Sequence, residues 1–129
     1  MLRKGEYTIY NEKEYRFIES DSVEAIELIS NDKNEMDNGF TYYKNNIYTK
    51  IVGVSKVKEL YSINPYAVYK GEVFPASEER RTGKVLLDTT NTELAKKMGF
   101  KRTDKYMYSK SVKWDEVEII EERKPYSLE

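Results

Sequence analysis

The stretch that decides the fold occurs twice: residues 39–50 are GFTYYKNNIYTK, and residues 99–110 are GFKRTDKYMYSK. In each stretch, a Gly-Phe pair is followed, after six residues, by a matching four-residue segment, IYTK in one and MYSK in the other. We predict that each segment begins a β-strand, at 47–52 in the first case and 107–112 in the second. The recurrence of the same pattern, beginning at Gly39 and again at Gly99, indicates an internal repeat.

The sequence that precedes these stretches matches in the same way. When the two halves are aligned in one constant register, identical or similar residues coincide, and these pairs are Tyr7 and Tyr66, Ile9 and Val68, Tyr10 and Tyr69, Tyr15 and Phe74, Ile26 and Val85, and Leu28 and Leu87. The matches keep strand periodicity and need one single-residue gap. We therefore predict a tandem repeat of two modules of about 60 residues, 1–62 and 63–127, with the second docked on the first.

Each module is predicted to contain about five short antiparallel strands and one short helix. In the first module the strands are expected at 7–10, 15–18, 25–30, 47–52 and 57–63. The helix precedes the Gly-Phe pair, and in the second module Thr90 and Glu93 have the spacing of a capping box. The expected fold is mainly β, a β-rich α+β fold in which each module is an SH3-like barrel or a strongly twisted sheet. Residues 62–65 would be a short linker.

The composition excludes several functions. The chain has no Cys and no His, so it lacks thiolate chemistry, the commonest general base and the usual zinc ligands. A net charge of −1 gives no overall attraction to nucleic acid or to an anionic membrane. Neither a signal peptide nor a membrane helix is predicted. We expect a bacterial, cytoplasmic protein with no cofactor and no metal, either a monomer or a homodimer.

Catalytic motifs are weak in this sequence. Without His or Cys an enzyme would depend on its carboxylates, so a carboxylate-based hydrolase is the third alternative. Gly83-Lys84 is followed by Val85, which breaks the phosphate-loop pattern. Residues 31–39 have the oxygen density of a calcium loop but not its spacing. The chain is therefore predicted not to be an enzyme.

A basic stretch with interleaved aromatic residues runs from Lys96 to Trp114. Cations that contact phosphates, next to rings that stack on bases, are typical of single-stranded nucleic-acid binding. The residues that would bind are Lys101, Arg102, Lys105, Tyr106 and Trp114. However, residues 63–129 as a whole carry thirteen basic and twelve acidic side chains. Nucleic-acid binding through the second module is therefore the alternative function.

Aromatic residues without a counterpart in the other copy are candidates for an interaction surface. They include Phe17, Tyr42, Tyr43, Tyr61, Tyr106 and Trp114. Tyr and Trp are enriched in the energetically important parts of protein interfaces. The same residues could instead pack between the two modules. The preferred prediction is a non-enzymatic protein that binds another macromolecule. Within this class we favour a protein-interaction or inhibitor/immunity-type module, which would bind through residues such as Tyr42 and Tyr43.

Overall fold

The computed structural model describes residues 2–128, and the fold is mainly β. The strands are β1 (Gly5–Tyr10), β2 (Lys13–Glu19), β3 (Ala25–Ser30), β4 (Thr41–Lys44), β5 (Ile47–Gly53), β6 (Leu60–Tyr69), β7 (Glu72–Glu78), β8 (Val85–Thr89), β9 (Lys101–Asp104), β10 (Met107–Val112) and β11 (Glu118–Pro125). One α-helix, α1 (Thr92–Met98), and three 3₁₀ helices, Lys33–Asn38, Val54–Lys56 and Trp114–Glu116, connect them.

The strand order shows that the predicted SH3-like barrel is wrong. Neighbouring strands are antiparallel, and the described strands follow the order β4-β5-β3-β2-β1-β6-β7-β8-β10-β9, with β11 also paired to β6. Among the described strands, β4 pairs only with β5 and β9 only with β10, so neither half closes on itself and the sheet is not closed into a barrel. A closed barrel requires that the first and last strands share a ladder of hydrogen bonds.

The described chain divides into two compact units. The first unit comprises residues 5–63 and 123–128. In it β1 pairs with β2, β2 with β3, β3 with β5 and β5 with β4, and the first half of β6 pairs with β1. Its core lies under the β2–β3–β5 face and contains Phe17, Ile26, Leu28, Phe40 and Val52.

The second unit comprises residues 2–4 and 64–122. In it the second half of β6 pairs with β7, β7 with β8, β8 with β10 and β10 with β9. Its core contains Phe74, Val85, Leu87, Ala95 and Phe100. The rings of Phe74 and Phe100 lie 4.9 Å apart.

Two local predictions need correction. Residues 62–65 are not a linker but the middle of β6, because buried and half-buried side chains alternate without interruption from Leu60 to Tyr69. The helix cap is one residue further along than predicted: the Oδ1 atom of Asn91, not Thr90, accepts the N–H of Leu94 at 3.1 Å. An Asn side chain is as effective an N-cap as Thr, so the capping-box spacing did not decide the first residue of α1.

Candidate functional site

Strand β4 presents the two tyrosines that the sequence singled out. All four of its residues are exposed, and the exposed fractions of Tyr42 and Tyr43 are 54% and 62%. The ring of Tyr42 packs edge-on against Tyr48 with centroids 5.5 Å apart, while the Lys44 ammonium lies 5.2 Å from the Tyr43 ring centroid. The strand therefore displays two aromatic surfaces that the first unit does not bury.

The outer edge of β4 also has unused backbone groups. β4 pairs on one side with β5, and among residues 2–128 no strand pairs with its other side. The register shifts between Tyr42 and Lys44, so Tyr43 is a bulged residue without a partner on β5. The tight turn at Asn45 and Asn46, whose φ angles are 49° and 62°, holds this edge in place. An edge of this kind can accept a strand from another chain.

Strand β9 occupies the end of the strand order in the second unit and carries the predicted basic residues. Lys101 and Arg102 are exposed on β9, and Lys105 and Tyr106 form the turn that follows. The Arg102 guanidinium donates to the carbonyl oxygens of Asp104 at 3.2 Å and Lys105 at 3.0 Å. The Lys105 ammonium lies 5.4 Å from the Tyr106 ring centroid. The structure thus brings Arg102, Lys105 and Tyr106 together at one turn, which engages Arg102, while Lys101 lies at the start of β9.

Trp114 lies apart from the other predicted residues of the second unit. It begins the 3₁₀ helix that follows β10, whereas Lys105 and Tyr106 precede β10. A strand of this length spans about 20 Å, so the indole and the β9–β10 turn lie at opposite ends of β10. The indole N–H donates to the Gly83 carbonyl at 2.7 Å. Trp114 therefore anchors the loop between β7 and β8.

We expect Trp114→Phe to lower the free energy of unfolding by about 1 kcal/mol, because it removes the indole N–H and leaves the Gly83 carbonyl without this donor. Urea unfolding followed by far-ultraviolet circular dichroism measures the change. Tyr106→Phe is the control, because this ring is 71% exposed and its loss of a hydroxyl should change stability by less than about 0.5 kcal/mol. Equal stability of the two variants would show that the indole does not anchor the loop.

A buried carboxylate that the sequence analysis missed lies in the first unit. Glu35, on the 3₁₀ helix Lys33–Asn38, is only 1% exposed. Its Oε2 atom accepts from Lys13 Nζ at 2.5 Å and Tyr15 Oη at 2.8 Å, and its Oε1 atom accepts from Asn38 Nδ2 at 2.7 Å. The sequence contained a signal for this, since the alignment of the two halves matches Glu35 with the apolar Ala95.

The electrostatics of this cluster follow from its hydrogen bonds. Burial by itself raises the pKa of the Glu35 carboxyl, but the bonds from Lys13, Asn38 and Tyr15 outweigh burial and hold that pKa below its ordinary value. Burial and the bond to Glu35 raise the pKa of the Tyr15 hydroxyl. Three donors thus hold the buried carboxylate in its ionised form.

The other unmatched aromatic residues are buried within the first unit. Phe17 and Tyr61 are each 2% exposed. The Tyr61 ring stacks on Tyr7 with centroids 6.3 Å apart, and the Arg123 guanidinium lies 3.6 Å from its centroid. These two residues therefore cannot serve as exposed contacts. Of the aromatic candidates, Tyr42, Tyr43 and Tyr106 are more than half exposed, and Trp114 is 37% exposed.

Residues 2–128 contain no group of three or more acidic side chains arranged to hold a metal ion. Each buried side-chain nitrogen or oxygen in this part of the chain has a hydrogen-bond partner. None of the described helices combines the length and the apolar character needed to cross a bilayer.

One comparison with known proteins identifies a family. Residues 2–129 match the family model described as "Uncharacterised conserved protein UCP033725", and the chain therefore belongs to this family. No curated protein and no solved structure gives a significant match.

Proposed function

We propose that this family member is a non-enzymatic protein-binding module, built as a tandem repeat, that binds a partner along the outer edge of β4. The observation that carries the proposal is the exposure of Tyr42 and Tyr43 on a strand whose second edge is unpaired among the described residues. Tyr rings contribute large contact area at a low entropic cost, which suits them to interfaces.

Strand registers support the repeat. Tyr7 pairs with Arg16 and Tyr66 pairs with Pro75, so residues that correspond in the two halves have partners that also correspond. The same holds after the single gap, since Thr41 pairs with Thr49 and Lys101 with Ser109. The bulge in β4 recurs in β9. Coincidence of registers and irregularities at corresponding positions favours duplication of one module.

The repeat makes β4 and β9 corresponding edges with different chemistry. β9 carries Lys101, Arg102 and Asp104, and charged residues on an edge strand oppose pairing with another chain. β4 has Tyr42 and Tyr43 at the positions of Arg102 and Thr103. The first unit is therefore the better candidate for a protein interface. An extended partner segment would pair with the β4 backbone, and its side chains would contact the two rings.

A site-specific photo-crosslinker tests the proposal. p-Benzoyl-phenylalanine replaces Tyr42 in one variant and Arg102 in a matched control, and both are irradiated in extracts of the native host. We expect a protease-sensitive, nuclease-resistant adduct at position 42 and none at position 102. Adducts of equal yield at both positions, or none at position 42, would contradict binding at the β4 edge. A nuclease-sensitive adduct at position 102 alone would instead support nucleic-acid binding through the second unit.

Once the crosslinked partner is purified, Tyr42→Ser/Tyr43→Ser should weaken its binding at least about tenfold, because two interface tyrosines are lost. Isothermal titration calorimetry measures the dissociation constant. The substitutions also remove the contact between Tyr42 and Tyr48, so the free energy of unfolding should fall by about 1 kcal/mol and the variant should remain folded. Arg102→Ser/Thr103→Ser is the matched control and should bind as tightly as the wild type. Unchanged binding by the tyrosine variant would overturn the assignment of the site.

A further inference from the structure

A cleft of about 680 Å³ opens in the first unit beside the loop between β2 and β3. Val54 and Leu128 provide apolar lining, Glu19 lies there at the end of β2, and the loop contributes Asp21 and Glu24. The described residues that line the cleft include no Lys and no Arg. The cleft therefore combines an apolar wall with negative charge that no lining cation compensates.

The loop that forms the cleft is held in position by the rest of the first unit. The Glu24 carbonyl accepts the Val54 N–H at 2.9 Å, and Glu24 has a left-handed backbone with φ of 58°. At the other end of the loop, the Tyr126 hydroxyl donates to Glu19 Oε2 at 2.8 Å. Both ends of the loop are thus bonded to other parts of the first unit, which favours a cleft that a ligand need not order.

The second unit places a side chain of its own against the loop between β7 and β8. In the alignment of the two halves, Trp114 replaces Val54 and Gly83 replaces Glu24. Gly83 is also left-handed, with φ of 73°, and its carbonyl accepts the indole N–H of Trp114 at 2.7 Å. A planar, N–H-bearing side chain thus lies against this loop in the second unit. In the first unit, the short Val54 side chain cannot reach as far.

We propose that the cleft of the first unit binds an arginine side chain of the partner protein. A guanidinium is planar and carries N–H donors, as the indole does, and its aliphatic stem suits the wall that contains Val54 and Leu128. Its positive charge complements the carboxylates of Asp21 and Glu24. The indole of the second unit is neutral and needs no such carboxylates. The inference rests on the proposed function, because it identifies a second surface of the first unit that the same partner would contact.

The test titrates the ¹⁵N-labelled full chain with N-acetyl-L-argininamide and, as a control, with N-acetyl-L-leucinamide. We expect saturable amide shift changes confined to residues 19–25 and 54–55, with a midpoint on the order of 1 mM for a ligand of this size. The leucine amide should give no saturable change. Equal responses to both amides, or argininamide shifts centred elsewhere, would overturn the proposal.

Two variants separate the apolar contribution from the charged one. Val54→Trp recreates the side chain of the second unit and should abolish the response to argininamide. Asp21→Asn/Glu24→Asn should weaken binding at least about fivefold, because it removes two of the three carboxylates. If Val54→Trp does not fold, Asp21→Asn/Glu24→Asn still tests the proposal. Positions 21 and 24 are both exposed, and Asn tolerates the left-handed backbone of residue 24. If Asp21→Asn/Glu24→Asn bound argininamide as tightly as the wild type, the proposed charge complementarity would be wrong.

The outcome is distinguishable from that of the proposed function. Binding of argininamide is measured on the free protein, whereas the β4 edge is tested by crosslinking at position 42. An adduct at position 42 without argininamide binding would refute the cleft proposal alone. Argininamide binding without an adduct would refute the β4 edge alone.

Discussion

Phe74→Ala is expected to lower the free energy of unfolding by about 3–5 kcal/mol, because it leaves a cavity in the core of the second unit. Phe74 is 1% exposed and is one of the largest fully buried side chains among residues 2–128. Its ring packs against Phe100 with centroids 4.9 Å apart, so an aromatic contact is lost as well. Small domains have total stabilities of about 5–15 kcal/mol, so this loss is a large part of the total. Urea unfolding followed by far-ultraviolet circular dichroism gives the difference.

Val73→Ala is the matched control for this prediction. Val73 is the neighbouring residue on β7, and it is 58% exposed. Its replacement should change the free energy of unfolding by less than about 0.5 kcal/mol. If both variants were destabilised to the same extent, the inward orientation of Phe74 on β7 would be wrong.

Glu35→Ala is expected to lower the free energy of unfolding by about 2 kcal/mol, because the buried Tyr15 hydroxyl loses the acceptor that it has in the wild type. Adding Tyr15→Phe should recover part of the loss, because the double variant buries no orphaned hydroxyl. In the sequence alignment of the two halves, Tyr15 and Glu35 match Phe74 and Ala95, an apolar pair that is buried in the second unit. A double-mutant cycle, measured by urea unfolding, quantifies the coupling.

The pH dependence provides an independent check on Glu35. Its pKa in the folded state is held below the ordinary value of 4.5, so the folded state binds fewer protons there than the unfolded state. The stabilisation is therefore present above pH 4.5 and is lost as the pH falls through the lower, folded-state pKa. The stability difference between the wild type and Glu35→Ala should shrink on acidification.

Local sequence signals predicted the secondary structure where side chains alternate between buried and exposed. Strand β3 was predicted at 25–30 and is observed as Ala25–Ser30. The helices before both Gly-Phe pairs are confirmed, and Gly39 and Gly99 adopt the left-handed conformation that ends them. Strands β4 and β9 were not predicted, because all their residues are exposed and no apolar alternation marks them.

The candidate site was predictable in its residue types but not in its arrangement. Comparison of the two halves singled out Tyr42 and Tyr43, and both are exposed on β4. The same comparison could not separate them from Phe17 and Tyr61, which also have no aromatic counterpart in the other half. These two residues are buried in the first unit. Exposure depends on which strand lies alongside, and a single sequence does not record that neighbour. The sequence likewise did not show that Trp114 bonds to Gly83.

By itself, the sequence determined the β-rich class, the strand periodicity, the helix ends at Gly39 and Gly99, and the absence of His and Cys chemistry. These properties depend on side-chain identity and on neighbours within a few residues. Only the tertiary structure decided that β6 runs through residues 62–65, that the sheet stays open at β4 and β9, and that Glu35 is buried among three donors. Each of these depends on contacts between residues far apart in the chain, because hydrogen-bond ladders and burial are properties of the assembled sheet.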